Sequence, residues 1–528
     1  MAAKTQNDER IMSAQMNRRA FLKKIGLGAA ALTISKLTYG MASPGKKPNL
    51  LFVFPDQMRK HALGFMSEDP VITPNLDKFA AESMVFTNAI SSNPICTPFR
   101  AMLMTGRHSI SIGTVSNCQP GLNQELSEKE ICIGDVLKTN GYETGYIGKW
   151  HLEMPSRNKY ENPPDEPDDP WDGWTPPGPR RHGFDFWYAY NTDHEHFKPN
   201  YWKDKPQKIQ VQQWSVEHET DVAIDFIKNR QKDKPFALFV SHNPPHGPYI
   251  APEKYKAMYL NKHLPPRPNV KLPNEKYLTS FMPYLAAVTS CDDNFARLLK
   301  TLDEEKIADD TIVVFTSDHG DMMGSHERFG KSTWHEESIG IPFIIRWPGR
   351  IKPATEGMPF ACYDFMPTLL GLMRLPIPKT VEGTDYSNLM LGKKMNKPSA
   401  AFIAYYQYPD NVMAVGQPAS IWVQQGVDLR KKGVDWRTTG FRGLVTKRYT
   451  YVVDRYSDGP DGPYSADVIA HAIADGTITK RLLYDNEKDP YQLNPIVAIR
   501  ADENIIMAKL DTQLQQWLNK MNDQFPLQ

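Results

Sequence analysis

Residues 49–57 read Asn-Leu-Leu-Phe-Val-Phe-Pro-Asp-Gln, so a continuous apolar run ends in a carboxylate and an amide. An apolar run of this length, without polar alternation, is typical of a strand that is buried on both faces, as in parallel sheets. The same design recurs at 142–151, 236–246 and 311–321. The polar residues that follow the four runs are Asp56, Gln57, Lys149, His151, His242, His246, Asp318 and His319.

Helical patterns over 131–140, 216–231, 283–305 and 363–372 separate these apolar runs. Strands that alternate with helices predict an α/β fold, in which a large mixed, mostly parallel sheet is sandwiched by helices. Because ligands of such sheets bind beyond the carboxyl ends of the strands, we expect the four polar strand ends to share one site.

After about residue 395 the pattern changes to short strands separated by turn residues, at 402–406, 441–445, 449–453 and 481–484. A final helix is expected over 503–521, because apolar residues recur there at helical spacing. We therefore predict a catalytic domain over 48–395 and a smaller C-terminal α+β subdomain with an antiparallel sheet over 396–528.

The chain of 528 residues carries a formal net charge of +1, which argues against nucleic acid as a partner. Any anion selectivity is therefore expected to be local. The five cysteines are odd in number and widely spread, so they match neither a disulfide framework nor a zinc-binding pattern.

The N-terminal residues 1–42 resemble a twin-arginine export signal. Residues 17–24 read Asn-Arg-Arg-Ala-Phe-Leu-Lys-Lys, a weakly apolar run follows over 25–37, and small residues follow it at 40–42. The apolar run is too short and too interrupted to span a bilayer stably. We expect export to the periplasm through the twin-arginine machinery; the alternative is a basic amphipathic N-terminal helix.

Residues 93–107 read Asn-Pro-Ile-Cys-Thr-Pro-Phe-Arg-Ala-Met-Leu-Met-Thr-Gly-Arg. Thr97 is predicted to be the N-cap of a short helix that Gly106 closes. Cys96 would then lie just ahead of the helix, where free N–H groups and the nearby cation of Arg100 favour a thiolate. The alternative is a buried structural cysteine before a packing helix.

The polar strand ends divide into two sets with different chemistry. Carboxylate and amide oxygens at Asp56, Gln57 and Asp318, with His319 beside them, suit a divalent cation such as Ca²⁺ or Mg²⁺. Without such an ion, these residues would be ordinary surface turns. The cations and proton donors that could hold a tetrahedral anion are Arg100, Lys149, His151, His246 and Lys331.

The segment 162–205 is a proline-rich loop followed by many aromatic residues, with His194 and His196 among them. One interpretation is a loop that folds back on the core and is sealed by its own rings. The other is a substrate-recognition insertion, in which flat rings stack on sugar or aryl groups and the two histidines contact substrate.

The motif from Cys96 to Arg100, followed by Thr-Gly-Arg at 105–107, resembles the type I sulfatase signature Cys-x-Pro-x-Arg with its downstream Thr-Gly-Arg. The resemblance extends over about residues 48–500. Further stretches that are similar to family motifs are 49–57, 148–151, 245–248, 317–321, 330–331, 341–343 and 483–490.

The resemblance implies a formylglycine-dependent sulfatase of the alkaline-phosphatase superfamily. A formylglycine-generating maturation enzyme would convert Cys96 to an aldehyde, whose hydrate attacks sulfur and also binds the metal. The implied metal ligands besides that hydrate are Asp56, Gln57, Asp318 and His319, with Ca²⁺ expected and Mg²⁺ as the alternative. The remaining implied roles are holding the hydrate for Arg100 and Lys149, sulfate binding and leaving-group protonation for His246 and Lys331, and loss of sulfate for His151.

Two positions depart from the family pattern. Many members carry Asp-Asp where this chain has Asp56 and Gln57, and Asp-Asn where it has Asp318 and His319. One carboxylate fewer lowers the negative charge of the site, which leaves the identity of the metal open. His246 matches the Pro-His-x-Pro element better than the neighbouring His242 does.

The expected activity is hydrolysis of sulfate esters, on a sulfated saccharide or an aryl sulfate. One alternative is a phosphonate monoester or phosphodiester hydrolase of the same superfamily. The other is an inactive carbohydrate-binding relative, which would keep an unmodified cysteine at position 96.

Overall fold

The computed structural model describes residues 46–118, 124–153, 172–192, 194–271, 273–406, 435–455 and 480–527. The predicted export signal over 1–42 lies outside these ranges. The described strands are β1 (Asn49–Val53), β2 (Met84–Phe86), β3 (Ala89–Ile90), β4 (Glu143–Lys149), β5 (Phe186–Tyr190), β6 (Asn200–Tyr201), β7 (Ile209–Gln210), β8 (Phe236–Ser241), β9 (Thr311–Thr316), β10 (Gly340–Ile341), β11 (Phe343–Arg346), β12 (Ala354–Glu356), β13 (Phe360–Ala361), β14 (Ala400–Tyr405), β15 (Gly440–Thr446), β16 (Tyr449–Arg455), β17 (Lys480–Asp485) and β18 (Ile496–Ala498).

The α-helices of the same ranges lie between and after these strands. They are α1 (Pro74–Ala81), α2 (Cys96–Thr105), α3 (Ser109–Ile112), α4 (Ile133–Thr139), α5 (Ser215–Asn229), α6 (Glu253–Lys256), α7 (Glu275–Glu304), α8 (Glu336–Ile339), α9 (Phe365–Leu372), α10 (Ser387–Met390) and α11 (Ile505–Met521).

The main sheet has eight strands in the order β12-β2-β11-β9-β1-β8-β4-β5. β1 pairs in parallel with both β8 and β9, and β4 pairs in parallel with β8 and β5. Only β11 runs antiparallel, to β2 and β9, among the pairs described in this sheet. The predicted α/β fold is therefore confirmed, and the four strands with polar ends are neighbours in the order β9-β1-β8-β4.

The central strand β1 shows why these apolar runs form a doubly buried sheet. Leu50 and Phe52 belong to one hydrophobic core, whereas Leu51 and Val53 belong to a second core on the opposite face. All four are at most 1% exposed. Since successive side chains of a strand point to opposite faces, a run without polar alternation is required at this position.

A second sheet of five strands, β14 to β18, is antiparallel throughout, as predicted for the C-terminal part. Helix α11 packs on it through Leu510, Leu514 and Leu518, which lie at helical spacing. Each is less than a tenth exposed. Burying that apolar face is what orders the helix, since isolated helices are marginal in water.

Helix α7 is longer than predicted, because it begins at Glu275 and holds Pro283 in its interior. The side chain of Asn274 caps it by accepting a hydrogen bond from the N–H of Tyr277 at 2.9 Å. A proline inside a helix costs about 3 kcal/mol. The buried face of this helix, which includes Tyr284 and Phe295, outweighs that cost.

Four aromatic residues of the segment 162–205 close the core. Trp187, Tyr188 and Tyr190 lie on the edge strand β5, and each is at most 4% exposed, as is Trp202. The faces of these four rings are therefore covered by other side chains, so these rings cannot stack on a sugar. Phe197 of the same segment is 41% exposed, and for the remaining rings the substrate-recognition interpretation stays a prediction. Trp171 lies outside the described residues.

Among the described helices, none combines the length and the apolar character that a membrane crossing requires.

His108 lies in a buried aromatic cluster between the two parts of the chain. Its ring centroid is 4.1 Å from that of Tyr363, 5.9 Å from that of Phe402 on β14, and 5.2 Å from that of Trp517 on α11. Its Nε2 atom has no hydrogen-bond partner among the described residues. Burial lowers the pKa of His108 to about 3, so the folded protein holds this ring neutral.

We predict that acidification destabilises the protein through His108. The unfolded chain binds a proton there near pH 6.5, whereas the folded chain does not until about pH 3, so stability is lost as the pH falls below 6.5. The expected loss from this group is about 1.4 kcal/mol of unfolding free energy per pH unit. Urea denaturation at several pH values between about 7 and 5 gives the slope of the unfolding free energy against pH. This slope should be shallower for His108→Phe than for wild type, and equal slopes would show that this histidine is not the cause.

Candidate active site

The carboxyl ends of β1, β4, β8 and β9 meet the beginning of α2 at one edge of the main sheet. There Asp56, Cys96, Asp318 and His319 place one ligand atom each within 4.8 Å of one another. All four side chains are at most 1% exposed. The structure thus brings together four residues from three distant segments of the sequence.

Arg100 joins the two carboxylates of this cluster. Its Nη2 atom lies 3.1 Å from Asp56 Oδ2 and 3.3 Å from Asp318 Oδ2. Its Nη1 atom donates to the backbone carbonyl of Lys149 at 2.6 Å and to the hydroxyl of Ser241 at 2.7 Å. The guanidinium is fully buried, so its hydrogen bonds to two strand ends and two carboxylates fix all of these groups.

Two lysines add further positive charge. The Nζ atom of Lys149 lies 2.7 Å from Asp56 Oδ2 and donates to Asn243 Oδ1 at 3.2 Å. The Nζ atom of Lys331 lies 2.9 Å from Cys96 Sγ and 3.0 Å from Gln57 Oε1. The site can therefore hold an anion between cations that come from separate segments.

The two buried carboxylates have opposite pKa shifts. Burial opposes ionisation of Asp56, but the charges around it, above all that of Lys149, hold its pKa well below the usual range. Burial, followed by the negative charge of Asp56, raises the pKa of Asp318 to about 7. A second cation close to Asp318 would favour its ionised form.

Cys96 differs from the other buried cysteines in its electrostatic environment. Burial and Asp56 raise its pKa, but Lys149, Lys331 and His319 outweigh them and lower it to about 6. In contrast, burial raises the pKa of Cys362 to about 12 and that of Cys132 well above the ordinary value. Equally buried cysteines therefore have pKa values shifted in opposite directions, depending on whether cations surround the sulfur.

Helix α2 begins two residues earlier than predicted, because Cys96 is its first residue and Ile95 is the N-cap. The prediction of Thr97 as N-cap is therefore wrong. Its hydroxyl instead donates to the carbonyl of His151 at 2.8 Å, which ties the helix to the end of β4. Gly106 ends the helix as predicted, with φ of 64°.

His319 presents one ring nitrogen to the cluster. Its Nδ1–H donates to the carbonyl of Gly320 at 3.0 Å, because a carbonyl can only accept. The Nε2 atom is thereby directed inward, 3.3 Å from Cys96 Sγ and 3.7 Å from Asp56 Oδ1. Burial lowers the pKa of His319, but Asp318 and Cys96 outweigh burial and raise it, so Nε2 would have to release its proton to bind a cation. A backbone acceptor on the other ring nitrogen is typical of a metal-ligating histidine.

The structure separates the two histidines that follow β8. The Nδ1 atom of His242 pairs with Glu219 Oε2 at 2.6 Å, away from the cluster. His246 lies near Asp56, and its Nδ1–H donates to the carbonyl of Gly247 at 2.8 Å. Burial and then Lys149 hold the pKa of His246 well below the ordinary value, so this ring is neutral.

His151 is buried in the site with neither ring nitrogen hydrogen-bonded among the described residues. Burial, with Lys149 next in effect, lowers its pKa well below the ordinary value. It lies at φ of 50°, and Gln57 lies at φ of 67°, both outside the regions that side chains favour. Such strained positions cost about 1–3 kcal/mol each and cluster at functional sites.

His194 and His196 lie in different environments. His194 is exposed, and its ring stacks on that of His246 with centroids 5.2 Å apart. His196 is buried, and its Nε2–H donates to the backbone carbonyl of His246 at 2.8 Å. His194 therefore lies at the mouth of the site, whereas His196 supports the loop that carries His246.

The donor set fits a divalent cation. Two carboxylates and one imidazole nitrogen converge, and Gln57 Oε1 lies beside the Lys331 ammonium that contacts Cys96. Oxygen-rich sets of this kind suit hard divalent cations. The residues of the site that sequence reasoning did not assign are Ser241, Asn243, Tyr249 and Asp321, although Asp321 was part of a recognised motif.

We predict that Arg100→Ala destabilises metal-free protein by about 3–5 kcal/mol, because it leaves two buried carboxylates without their shared partner. Arg107→Ala is the matched control. Its side chain is 21% exposed and pairs with Glu130, which is 17% exposed, so the expected cost is about 1 kcal/mol. Denaturant unfolding in the presence of a chelator measures the loss of unfolding free energy in both variants. Similar losses in the two variants would contradict the role given to Arg100.

A sequence model of the family described as Sulfatase matches residues 48–375. An endo-4-O-sulfatase of Bacteroides thetaiotaomicron is 34% identical over 501 residues, with 89% of this chain and 92% of the relative covered. An ulvan-active sulfatase of Formosa agariphila is 32% identical over 489 residues, with 91% of this chain and 82% of the relative covered.

The fold is also shared with solved structures. A structure from work on the metabolism of multiple glycosaminoglycans by Bacteroides thetaiotaomicron has a TM-score of 0.77 and 33% identity, with 91% of this chain and 97% of that one covered. The signature from Cys96 to Arg100 lies inside the matched region, at the cation-lined edge of the sheet. The chain belongs to the type I sulfatase family of the alkaline-phosphatase superfamily, and it is a sulfuric ester hydrolase.

Proposed function

We propose that the protein hydrolyses sulfate esters of a sulfated saccharide, with formylglycine made from Cys96 as the source of the nucleophile. The observation that carries the proposal is the position of Cys96, 2.9 Å from Lys331 Nζ and within the buried ligand cluster. A saccharide substrate is supported by the names of similar proteins. These are an endo-4-O-sulfatase, an ulvan-active sulfatase and a structure from work on glycosaminoglycan metabolism.

The proposed chemistry uses an oxygen nucleophile. A formylglycine-generating maturation enzyme uses an external oxidant to convert Cys96 to an aldehyde with loss of the sulfur, and addition of water gives a hydrate with two hydroxyl groups. One hydroxyl releases its proton to water and its oxygen attacks sulfur, the bond between sulfur and the ester oxygen breaks, and the leaving alcohol takes up a proton from Lys331. The second hydroxyl then loses its proton to His151, the bond between the carbon and the sulfated oxygen breaks, sulfate departs, and the aldehyde is regenerated.

Lys331 is the better proton donor to the leaving alcohol. Burial lowers its pKa, but Cys96, Asp56 and Asp318 outweigh burial and raise it, so the ammonium is charged. His246 is neutral and is held at Nδ1 by a backbone carbonyl, so its Nε2 is free to accept a hydrogen bond. Arg100 and Lys149 hold the hydrate in place through their charge and their fixed positions.

The proposed metal ligands are Asp56, Gln57, Asp318, His319 and the oxygen at position 96. Ca²⁺ is the proposed ion and Mg²⁺ the alternative, because carboxylate and amide oxygens dominate the set. When bound, such an ion polarises the sulfuryl oxygens and stabilises the negative charge that develops on them.

Substrate contact and export complete the proposal. The exposed ring of His194, stacked on His246, lies where the saccharide next to the sulfate would enter. The paired arginines at 18–19 and the weakly apolar run after them support export through the twin-arginine machinery to the periplasm.

The function is tested with a sulfate ester and a phosphodiester of one leaving group, assayed at saturating metal, with sulfated saccharides in parallel. We expect turnover of the sulfate ester to exceed that of the diester clearly. Cys96→Ala should lose activity by several orders of magnitude, since the nucleophile is gone, while its thermal unfolding stays cooperative. A preference for the diester, or near-normal turnover by Cys96→Ala, would overturn the proposal.

Chelation is expected to lower both activity and melting temperature, because a ligand that binds only the native state stabilises it by mass action. Re-addition of Ca²⁺ or Mg²⁺ should restore both. Thermal scans and turnover assays on the same chelated sample measure this. Activity and melting temperature that are both insensitive to chelation would show that the residues hold no functional metal.

A further inference from the structure

Asp321 is a fully buried carboxylate close to the proposed metal ligands. Its Oδ1 atom accepts hydrogen bonds from two backbone N–H groups, those of Met323 at 2.7 Å and Gly330 at 3.1 Å. Its Oδ2 atom accepts from the side-chain amide of Gln57 and from the hydroxyl of Tyr249, the latter at 2.7 Å. The carboxylate therefore has four donors, and only Gln57 among them belongs to the proposed ligand set.

The amide of Gln57 lies between two groups of opposite character. Its Nε2 atom donates to Asp321 and to the hydroxyl of Tyr249, the latter at 3.3 Å, and its Oε1 atom accepts from Lys331 Nζ at 3.0 Å. Rotating the amide by half a turn would place an oxygen against the Asp321 carboxylate and an NH₂ group against the Lys331 ammonium. Both new contacts would be repulsive, so the observed orientation is the only one that satisfies both neighbours.

We propose that Asp321 is a positioning residue that holds the Gln57 amide with its oxygen toward the metal site. The inference rests on the proposed metal site. A carboxylate at position 57 would need no such control, because its two oxygens are equivalent acceptors. A glutamine has only one acceptor oxygen, and its NH₂ group cannot bind a cation. This chain, which carries glutamine where many relatives carry aspartate, therefore needs a fixed acceptor behind the amide.

The substitution Asp321→Asn tests this directly. The N–H groups of Met323 and Gly330 require an acceptor, so the oxygen of the new amide replaces Oδ1 and its NH₂ group replaces Oδ2. That NH₂ group then faces Gln57 and favours the rotated amide, whereas Lys331 still favours the observed one. The two neighbours no longer agree, so the amide oxygen is no longer fixed toward the metal. The backbone contacts of the loop are retained, which separates the effect on Gln57 from a general loss of structure.

The double variant Gln57→Glu with Asp321→Asn should restore the site. Glutamate accepts from the new NH₂ group with one oxygen and still offers the other to Lys331 and the metal. Rescue of this kind excludes a merely structural defect at position 321, because such a defect would persist in the double variant.

Affinity for Ca²⁺ and for Mg²⁺ alone is measured by calorimetric titration of the metal-free full-length chain, with thermal unfolding as the check on folding. We expect Asp321→Asn to bind about 10- to 100-fold more weakly than wild type, and the double variant to bind at least as tightly as wild type. Asp364→Asn is the control, because that buried carboxylate also accepts two backbone N–H groups, at 3.0 and 2.7 Å, but is not among the residues proposed for the site. It should bind metal as wild type does.

Each other result counts against the inference in a distinguishable way. Wild-type protein that binds neither ion would overturn the proposed metal site and this inference with it. Wild-type binding that Asp321→Asn leaves unchanged would overturn the role of Asp321 alone. If Asp321→Asn does not fold, the double variant decides, because a double variant that is unfolded or binds weakly would also overturn that role.

Discussion

The structure depends on a buried guanidinium that holds two carboxylates at one point. Asp56 and Asp318 follow two neighbouring parallel strands, and a carboxylate oxygen of one lies within 4.8 Å of a carboxylate oxygen of the other. Like charges that are this close in a dry interior repel strongly. Arg100 donates to both, and it also binds the backbone at the end of β4 and a hydroxyl at the end of β8. One side chain thus fixes the strand ends that carry the chemistry.

The arrangement also explains the character of position 96. A cysteine at the start of α2 is surrounded by the same cations that offset the carboxylates, so its pKa falls although it is fully buried. The other buried cysteines with shifted pKa values lack such neighbours and shift upward. A site that stabilises negative charge on this residue is equally suited to an oxygen nucleophile and to the oxygens of the sulfuryl group whose sulfur it attacks.

Much of this could be predicted from the sequence, because the determining features are local. A doubly buried strand needs an unbroken apolar run, and the four runs with polar ends predicted both the parallel sheet and the strand ends that meet. Features that depend on tertiary contacts were missed. Thr97 looked like a helix cap, but its hydroxyl is used by a carbonyl from another strand. Pro283 looked like a helix start, but packing of a long buried face overrides its local cost. The aromatic residues of β5 could have served a core or a ligand, and only burial decides between them. Asp321 acts through groups distant in sequence, so no spacing rule could assign it.

The central claim is that Cys96 is the precursor of an oxygen nucleophile, and mass spectrometry of the peptide that contains it tests this most directly. The protein should be produced with and without a formylglycine-generating enzyme, and the aldehyde fraction compared with the rate of sulfate-ester hydrolysis. The account predicts that activity is proportional to the aldehyde fraction and vanishes in fully unmodified protein. Full activity with an intact cysteine at position 96 would contradict it.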